Sequence, residues 1–304
     1  MKRLLVRSCI FIIILIVTDL CFGVVFDYIR SHARSGDTAR TEYICNHTNE
    51  DILIMGSSRA AHHYVPSIMK DTLGLSVYNC GYDGCGIILA YSQLQLILKR
   101  YTPKCIVYEL TPSFDFVEGD NLRYIKTMRP YYHAGVLDEI IQDVDKSEKI
   151  KNISSFYRYN SSFMSILSDW LRTPESNDKG YKPEHKVAKN EPKKNNDYTE
   201  PRKLDNYKIR ILKGFIDLCR QNDILLVVVV SPLYTDDSTA SVFNPIFDIL
   251  MQEGITILDH SCDSNFNWKR DYFSDSCHLN HEGAMEFSKI LSSELKQLIS
   301  KQYE

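Results

Sequence analysis

The feature that most constrains the fold is a series of short apolar runs, each ending at a small or polar residue. The run at residues 51–55 ends at Gly56, and residues 224–230 are seven consecutive aliphatic side chains. Runs of this kind are typical of strands that are buried on both faces of a parallel sheet. Comparable runs at residues 75–79, 105–110 and 255–258 bring the predicted strands to five.

Segments with helical periodicity lie between these runs and after the last one. They cover residues 65–73, 87–100, 206–222, 242–253 and 281–300. This alternation of strands and helices predicts an α/β fold with a doubly wound parallel sheet.

The alternation breaks once, between the third and fourth strands. Residues 111–173 are rich in aromatic side chains and are predicted to form helices and loops. Residues 174–205 consist largely of Lys, Asn, Glu, Asp and Pro, which are too polar for a core and predict a mobile loop. We therefore predict one α/β domain over residues 51–304, with a helical insertion at about 111–205.

The N-terminus carries a separate signal. Basic residues at positions 2–7 precede an apolar segment at residues 9–26, which as a helix would span roughly 27 Å, close to the hydrocarbon thickness of a bilayer. No small-x-small cleavage signal follows, which favours an uncleaved signal anchor over residues 1–30; a cleaved signal peptide is the alternative. The basic residues predict a cytoplasmic N-terminus. We expect a single-pass protein of the inner membrane, with a stem at residues 31–50 and a periplasmic domain.

Asp19 interrupts the apolar segment. An ionisable side chain within a membrane span is costly to bury and generally faces a partner or water. Two interpretations follow: a second membrane protein contacts Asp19, or its carboxyl group is protonated or reaches the headgroup region.

Composition excludes some classes of function. The net charge of −3 and the pI near 6.3 give no expectation of nucleic acid binding. Nine cysteines are present, two of them in the anchor, and none forms a C-x-x-C pair. We therefore predict neither a zinc site nor a disulfide framework, and expect reduced, packed cysteines. Pairing of Cys262 with Cys277 is the alternative.

Two adjacent serines follow the first predicted strand, in the sequence Gly56-Ser57-Ser58-Arg59. A serine at this point lies at the carboxyl edge of the sheet, where open α/β sheets bind ligands. The first N–H groups of a following helix can stabilise an oxyanion. Because Gly-Ser-Ser is also common in ordinary loops, the motif acquires meaning only with partners elsewhere in the chain.

An Asp and a His lie three residues apart, as Asp275 and His278, shortly before the last predicted helix. At this spacing the carboxylate can reach the imidazole and hold the tautomer that leaves the other nitrogen free to accept a serine proton. The structural alternative is that Asp275 or Asn280 caps the helix and His278 is a surface residue.

The second strand is followed by a glycine-rich loop, Asn79-Cys80-Gly81-Tyr82-Asp83-Gly84. Glycine allows a backbone N–H to approach a reacting oxygen closely. An ordinary strand-to-helix loop has the same composition, so this loop too depends on the other motifs for its interpretation.

Together the three motifs resemble, in their order and in the predicted topology, the SGNH or GDSL-like hydrolase superfamily. The resemblance covers about residues 51–110 and 206–295. It implies a flavodoxin-like three-layer sandwich with a five-stranded parallel sheet, the SGNH hydrolase fold. It also implies a catalytic set of Ser58, Asp275 and His278.

The same resemblance implies oxyanion contacts from the N–H groups of Ser58 and Gly84, with Gly81 as the alternative to Gly84. The family places its serine after a Gly-Asp pair, so Ser57 takes the usual Asp position and Ser58 that of the nucleophile. Ser57 is the alternative nucleophile, because only the resemblance selects the second of two adjacent serines. No cofactor and no metal are implied.

The third strand departs from the family pattern. It ends Tyr108-Glu109-Leu110-Thr111-Pro112-Ser113, without the Asn that the family's third block often supplies to the oxyanion. Divergent membrane-anchored members share this departure and the Gly-Ser-Ser block. They resemble polysaccharide O-acetylation proteins and the D-alanyl-transfer protein of teichoic acid assembly.

The resemblance to these members implies a serine-dependent acyl ester hydrolase or O-acyltransferase acting on acylated cell-surface polysaccharide. An integral-membrane acyltransferase would be the partner. The alternatives are a lipid or lysophospholipid esterase, and a non-catalytic accessory protein of a membrane acyltransferase system.

Other polar residues lie near these motifs. His62 and His63 could line a cleft, although packing or a surface position is the simpler interpretation. Arg59 could bind an anionic substrate group or pair with a helix carboxylate. The acidic, His and Cys residues within 259–263 have the composition of a metal site, but no second cluster supports one.

Overall fold

The computed structural model describes residues 1–111, 115–119, 121–132, 135–174, 178–189, 203–234 and 244–303. Its helices and strands are, in chain order, α1 (Lys2–Ser31), α2 (Gly36–Asn46), β1 (Ile52–Gly56), α3 (Ser58–His63), α4 (Pro66–Leu73), β2 (Val77–Asn79), α5 (Ile87–Ile97), β3 (Cys105–Glu109), α6 (Leu122–Met128), α7 (Asp138–Val144), α8 (Glu148–Lys151), α9 (Ser155–Tyr159), α10 (Phe163–Leu171), α11 (Asn206–Gln221), β4 (Leu225–Val230), α12 (Asn244–Gln252), β5 (Thr256–Asp259) and α13 (His281–Tyr303). Two compact units result, residues 1–47 with 120–175, and residues 48–119 with 176–304.

The first unit contains the predicted anchor. It forms α1, a helix of 30 residues that is long and apolar enough to cross a membrane. Residues 31–50, expected to form a stem, contain the helix α2. Arg30 of α1 is ion-paired with Glu42 of α2, so α2 is held against the anchor helix.

The second unit is built on a five-stranded parallel sheet with the order β2-β1-β3-β4-β5. This confirms the α/β class and the five strands that the apolar runs predict. Gly56 is in register with Glu109, and Glu109 with Val229, so β1, β3 and β4 end at about the same level. The strand order changes direction between β1 and β3, and ligands of such sheets bind outside the carboxyl ends at that point.

Helices cover both faces of this sheet. Successive strand side chains point to opposite faces. Ile54 and Val107 pack into a core with Phe287 of α13 and with residues of α3 and α4. On the opposite face, the ring of Tyr108 lies 5.8 Å from that of Phe215 of α11. Burial on both faces explains why the central strands β1, β3 and β4 are apolar without alternation; the edge strand β5 is only partly buried.

The predicted insertion is divided between the two units. Helices α6 to α10 belong with α1 and α2, whereas residues 178–189 belong with the sheet. In that segment Tyr181 and Ala188 are buried, and the N–H of Lys182 donates to the carbonyl of Ala61 at 3.0 Å. The mobile loop predicted at 174–205 lies largely outside the described residues, which omit 175–177 and 190–202.

All nine cysteines are reduced, so the alternative disulfide between Cys262 and Cys277 is not formed. Several are packed in the interior, in line with the reduced state expected from the sequence. Burial raises the pKa of the Cys105 thiol to about 12, which keeps this thiol protonated and unreactive at neutral pH.

Candidate active site

Ser58 lies at the carboxyl end of β1, where the chain turns directly into α3. Gly56 has a φ of +140°, and a Cβ there would lie 2.7 Å from the carbonyl oxygen of Glu109, so this turn requires glycine. Ser57 follows as the N-cap and Ser58 as the first helical residue. Ser58 therefore stands at the edge of the sheet where ligands bind.

Ser58, His278 and Asp275 form a connected set. The Oγ atom of Ser58 lies 2.8 Å from Nε2 of His278, and Nδ1 of His278 lies 2.8 Å from Oδ2 of Asp275. An ionised carboxylate only accepts hydrogen bonds, so Nδ1 carries a hydrogen and donates it to Asp275. The lone pair of Nε2 then faces the serine hydroxyl, the arrangement in which histidine can take the serine proton.

The loop around Asp275 holds the pair in place. The N–H groups of Cys277 and His278 donate to Oδ1 of Asp275 at 2.8 and 2.9 Å. Asn280, and not Asp275, caps the last helix: its Oδ1 accepts the N–H of Gly283 at 3.1 Å. Asn280 therefore serves α13, whereas Asp275 contacts the imidazole.

The contact with Asp275 also controls the protonation of His278. Burial opposes protonation of the imidazole, but the hydrogen bond to Asp275, the charge of Asp275 and the contact with Cys277 together raise the pKa of His278 above its ordinary value of 6.5. Burial likewise acts against ionisation of Asp275, yet the hydrogen bond from His278 lowers the pKa of that carboxyl group. A base must be neutral to accept a proton, so activity is expected to rise with pH through a midpoint above 6.5.

We expect Asp275→Asn to move this midpoint down toward 6.5 and to lower kcat by roughly 10²–10⁴-fold. The pH dependence of kcat/KM gives the midpoint, and turnover at saturating substrate gives kcat. Asp263→Asn is a matched control, because Asp263 contacts His260 at 3.2 Å across the same three-residue spacing. An unchanged midpoint in Asp275→Asn would show that this carboxylate does not act on His278.

Ser57, the alternative nucleophile, lies in a different environment. Its side chain is buried, and its Oγ atom lies 2.7 Å from Oγ1 of Thr111. The structure therefore brings Ser58, and not Ser57, to the imidazole of His278.

Gly81, one of the two glycines predicted to contact an oxyanion, packs directly against α3. A Cβ at Gly81 would lie 2.4 Å from the backbone nitrogen of Ala61. The N–H of Gly81 donates to Oδ1 of Asn79 at 3.0 Å, and Asn79 donates to the carbonyl of Tyr64 at 3.0 Å. The N–H of Gly81 is thus engaged in holding the loop, whereas Gly84 occupies the next turn with a φ of +69°.

His62 lines the site beside His278. The two ring centroids are 5.9 Å apart. Nε2 of His62 lies 2.9 Å from Oδ1 of Asp83, and Nζ of Lys182 lies 3.1 Å from the other oxygen. Burial opposes ionisation of Asp83, but these contacts lower its pKa. His62, Asp83 and Lys182 therefore form a charged rim beside the predicted catalytic set.

His63 is fully buried and supports the loop that carries His278. Its Nε2 accepts the N–H of Leu279 at 2.9 Å, so its hydrogen is on Nδ1, which lies 2.7 Å from Oγ of Ser231. Burial lowers the pKa of His63 well below 6.5, and the ring is neutral, as these contacts require. His63 thus joins α3 to the residue that follows His278.

Glu109 is the centre of the buried network behind Ser58. The hydroxyl of Ser231 donates to Oε1 of Glu109 at 2.7 Å, and Nε of Arg59 lies 2.9 Å from the same oxygen. The hydroxyl of Tyr64 donates to the other oxygen. A buried charge needs polar partners. Glu109 of β3 takes them from α3 and from Ser231 after β4, so the network joins α3 to the ends of β3 and β4.

The sequence does not predict this network as a unit. A Glu inside the third apolar run and an Arg directly after Ser58 were the available signals, since buried charges are found mostly in pairs. Arg59 was expected to bind an anionic substrate group or to pair with a helix carboxylate, but its carboxylate partner lies on strand β3. That the carboxylate is Glu109 depends on strand order, which periodicity does not reveal.

The acidic, His and Cys residues within 259–263, which have the composition of a metal site, are held by hydrogen bonds. Both ring nitrogens of His260 contact carboxylates, Asp263 at 3.2 Å and Glu294 at 3.0 Å. Across the described ranges, only the loop from Asp275 to His278 brings three potential ligand atoms within reach of one ion, and this loop already serves Ser58.

No protein-family model matches the chain, and no curated protein matches it. Among solved structures, a protein assigned to the lipolytic G-D-S-L family of Desulfitobacterium hafniense DCB-2 is similar at a TM-score of 0.41 and 10% identity, covering 81% of this chain and 99% of its own. A protein described as a platelet activating factor of Streptococcus pneumonia is similar at a TM-score of 0.40 and 12% identity, covering 94% and 99%. Both similarities are too weak to indicate a function.

Proposed function

We propose that this chain is a serine-dependent acyl ester hydrolase or O-acyltransferase that acts on acylated cell-surface polysaccharide. The observation that carries the proposal is the hydrogen-bonded series from Ser58 through His278 to Asp275. A nucleophile, a base and an orienting carboxylate in this arrangement perform acyl transfer on unrelated folds. The polysaccharide substrate is proposed from the resemblance of the Gly-Ser-Ser block to membrane-anchored acetylation proteins.

The reaction begins when Nε2 of His278 takes the hydroxyl proton of Ser58 and Oγ bonds to the ester carbonyl carbon. The N–H groups of Ser58 and Gly84 hold the oxyanion; Gly84 is preferred because the N–H of Gly81 is donated to Asn79. His278 then returns the proton to the leaving alcohol as its bond to the carbonyl carbon breaks. Water or a sugar hydroxyl attacks the acyl-enzyme in the same way and releases Ser58.

We further propose that α1 anchors the protein in the inner membrane, with the sheet unit on the periplasmic side. The length and apolar character of α1 support this placement, as do the basic residues at its N-terminal end. An integral-membrane acyltransferase on the same membrane would supply the acyl group if the chain is a transferase.

The test is a comparison of ester substrates for the full chain in detergent. An O-acetylated oligosaccharide, a simple aryl acetate and a long-chain lysophospholipid are each incubated with the wild type and with Ser58→Ala. We expect the wild type to prefer the short acyl group on the saccharide. Added unacylated oligosaccharide then shows whether the acyl group passes to water or to sugar.

Two outcomes would replace the proposal. Preference for the lysophospholipid would favour a lipid esterase, for which the proximity of a membrane anchor provides support. Absence of turnover, together with normal cellular complementation by the Ser58→Ala, His278→Ala double variant, would favour a non-catalytic accessory protein.

A further inference from the structure

Asp19, in the apolar part of α1, is hydrogen-bonded within the chain. Its carboxylate accepts the hydroxyl of Ser154 at 2.7 Å and the N–H groups of Ser155 and Phe156 at 2.9 Å each. These N–H groups lie at the start of α9, where a helix has no internal acceptors for them. The polar partner that Asp19 needs is therefore supplied by α9, without a second membrane protein.

The contact between α1 and α9 extends over about two further turns. Phe22 stacks on Phe156 with ring centroids 4.3 Å apart. Gly23 lies so close to α9 that a Cβ there would be 2.3 Å from Oγ of Ser155. Phe26 lies against aromatic rings of α9 and α10. One face of the C-terminal part of the apolar segment is thus in contact with helices of the insertion.

The length of α1 places these contacts at membrane depth. A bilayer needs about 20 helical residues to cross its hydrocarbon. Between Arg7 and Asp19 there are 11 residues, or roughly 16 Å, and counting from Leu4 gives roughly 22 Å. Counted from the residue after Arg7, the span reaches roughly 28 Å if it continues to Phe26; counted from Leu4, it reaches that length at Phe22. Asp19 and the part of α9 that contacts it therefore lie at the level of the hydrocarbon.

The outer surface of these helices suits the same surroundings. Ile150, Ile153 and Met164 are exposed by 73%, 76% and 64%. Beside α1, a groove of about 530 Å³ is lined by four aromatic side chains of α1, α9 and α10 together with Ser154 and Asn160. Large apolar side chains that are exposed are unfavourable in water and favourable in lipid.

We propose that residues 148–164 are inserted into the membrane leaflet at the C-terminal end of α1, with lipid acyl chains covering Ile150, Ile153 and Met164. The proposal rests on the membrane-spanning role proposed for α1 and is independent of the catalytic assignment. Asp19 accepts the N–H groups that begin α9 at a depth where water is excluded. The distance from Asp19 to Phe26, roughly 10 Å along the helix, indicates insertion to partial depth.

A photoactivatable aryl diazirine that partitions into hydrocarbon tests this placement. The full chain is reconstituted in vesicles of phosphatidylcholine and phosphatidylglycerol, irradiated with the reagent and mapped by peptide mass spectrometry. We expect label in α1 and in residues 148–164, and none in α13. Label in α1 without label in residues 148–164 overturns the proposal and leaves the anchor intact. Label in neither segment overturns the anchor as well.

A fluorescence measurement on two matched variants provides a second readout. In the triple variant Ile153→Trp, Trp170→Phe, Trp268→Phe, the indole introduced at position 153 should lose most of its emission to brominated lipids and little to aqueous iodide. In Trp170→Phe, the remaining Trp268, which is 62% exposed, should show the opposite pattern. Equal quenching by iodide in both variants overturns the proposal. Ester turnover in each preparation reports separately on the catalytic assignment.

Discussion

Ser58→Ala is expected to lower ester turnover by roughly 10³–10⁶-fold, because it removes the atom that forms the acyl-enzyme. The oxygen it removes lies 2.8 Å from Nε2 of His278. The variant should also fail to react with a fluorophosphonate probe, which labels activated serines. Turnover of an aryl acetate and probe labelling, followed by peptide mapping, measure the two effects.

Ser57→Ala is the matched control for this experiment. Ser57 lies one residue earlier, is fully buried and contacts Thr111 at 2.7 Å. It should therefore keep both labelling and turnover. If Ser57→Ala loses the label and Ser58→Ala retains it, the nucleophile has been assigned to the wrong serine.

Glu109→Gln is expected to destabilise the protein by about 3–5 kcal/mol, the usual result of removing one partner from a buried ion pair. Glu109 and Arg59 are exposed by only 0% and 1%. The substitution keeps the shape of the side chain but leaves the Arg59 charge uncompensated. Thermal unfolding in detergent, followed by circular dichroism, measures the loss.

An exposed pair provides the comparison. Lys289 and Glu286 are 3.2 Å apart on the solvent side of α13, and Glu286→Gln should cost less than about 1 kcal/mol. Adding Arg59→Met to Glu109→Gln removes the unpaired charge and should recover part of the stability. Unfolding of Glu109→Gln at the wild-type temperature would show that Arg59 does not depend on Glu109.

The sheet could be predicted because its strands are buried on both faces. Residues 225–230 need no tertiary information to be recognised, since seven aliphatic residues at 224–230 fit few other structures. The first and last residues of the strands were predicted less accurately. The second strand was expected to begin at Leu75 and begins at Val77; the backbone N–H of Ser76 donates to the side chain of Asp51 at 2.9 Å instead of to a neighbouring strand.

The contacts that form the site differ in how far apart their residues lie in the sequence. Asp275 and His278 could be paired from their spacing, because the contact is made within one loop. The choice of Ser58 over Ser57 came from family resemblance, whereas in the structure it follows from the turn at Gly56. The Glu109 network joins residues far apart in sequence, which no local pattern reveals.

The insertion was recognised from its composition, but its attachment was not. Aromatic residues at 111–173 predicted helices and loops, and nothing in their spacing showed that these helices pack against α1. The decisive contact is made by Asp19 with the first N–H groups of α9. A hydrogen bond between residues more than 130 positions apart is invisible to periodicity.

The position of the insertion in the chain has an evolutionary consequence. Ser58 precedes it, and Asp275 and His278 follow β5, so the loops that carry the reacting groups are separate from helices α6 to α10. Those helices can be lengthened, replaced or lost without changing the chain path through the two loops. Together with α1 and α2 these helices form one compact unit, which could be exchanged as a module between chains that keep the same sheet.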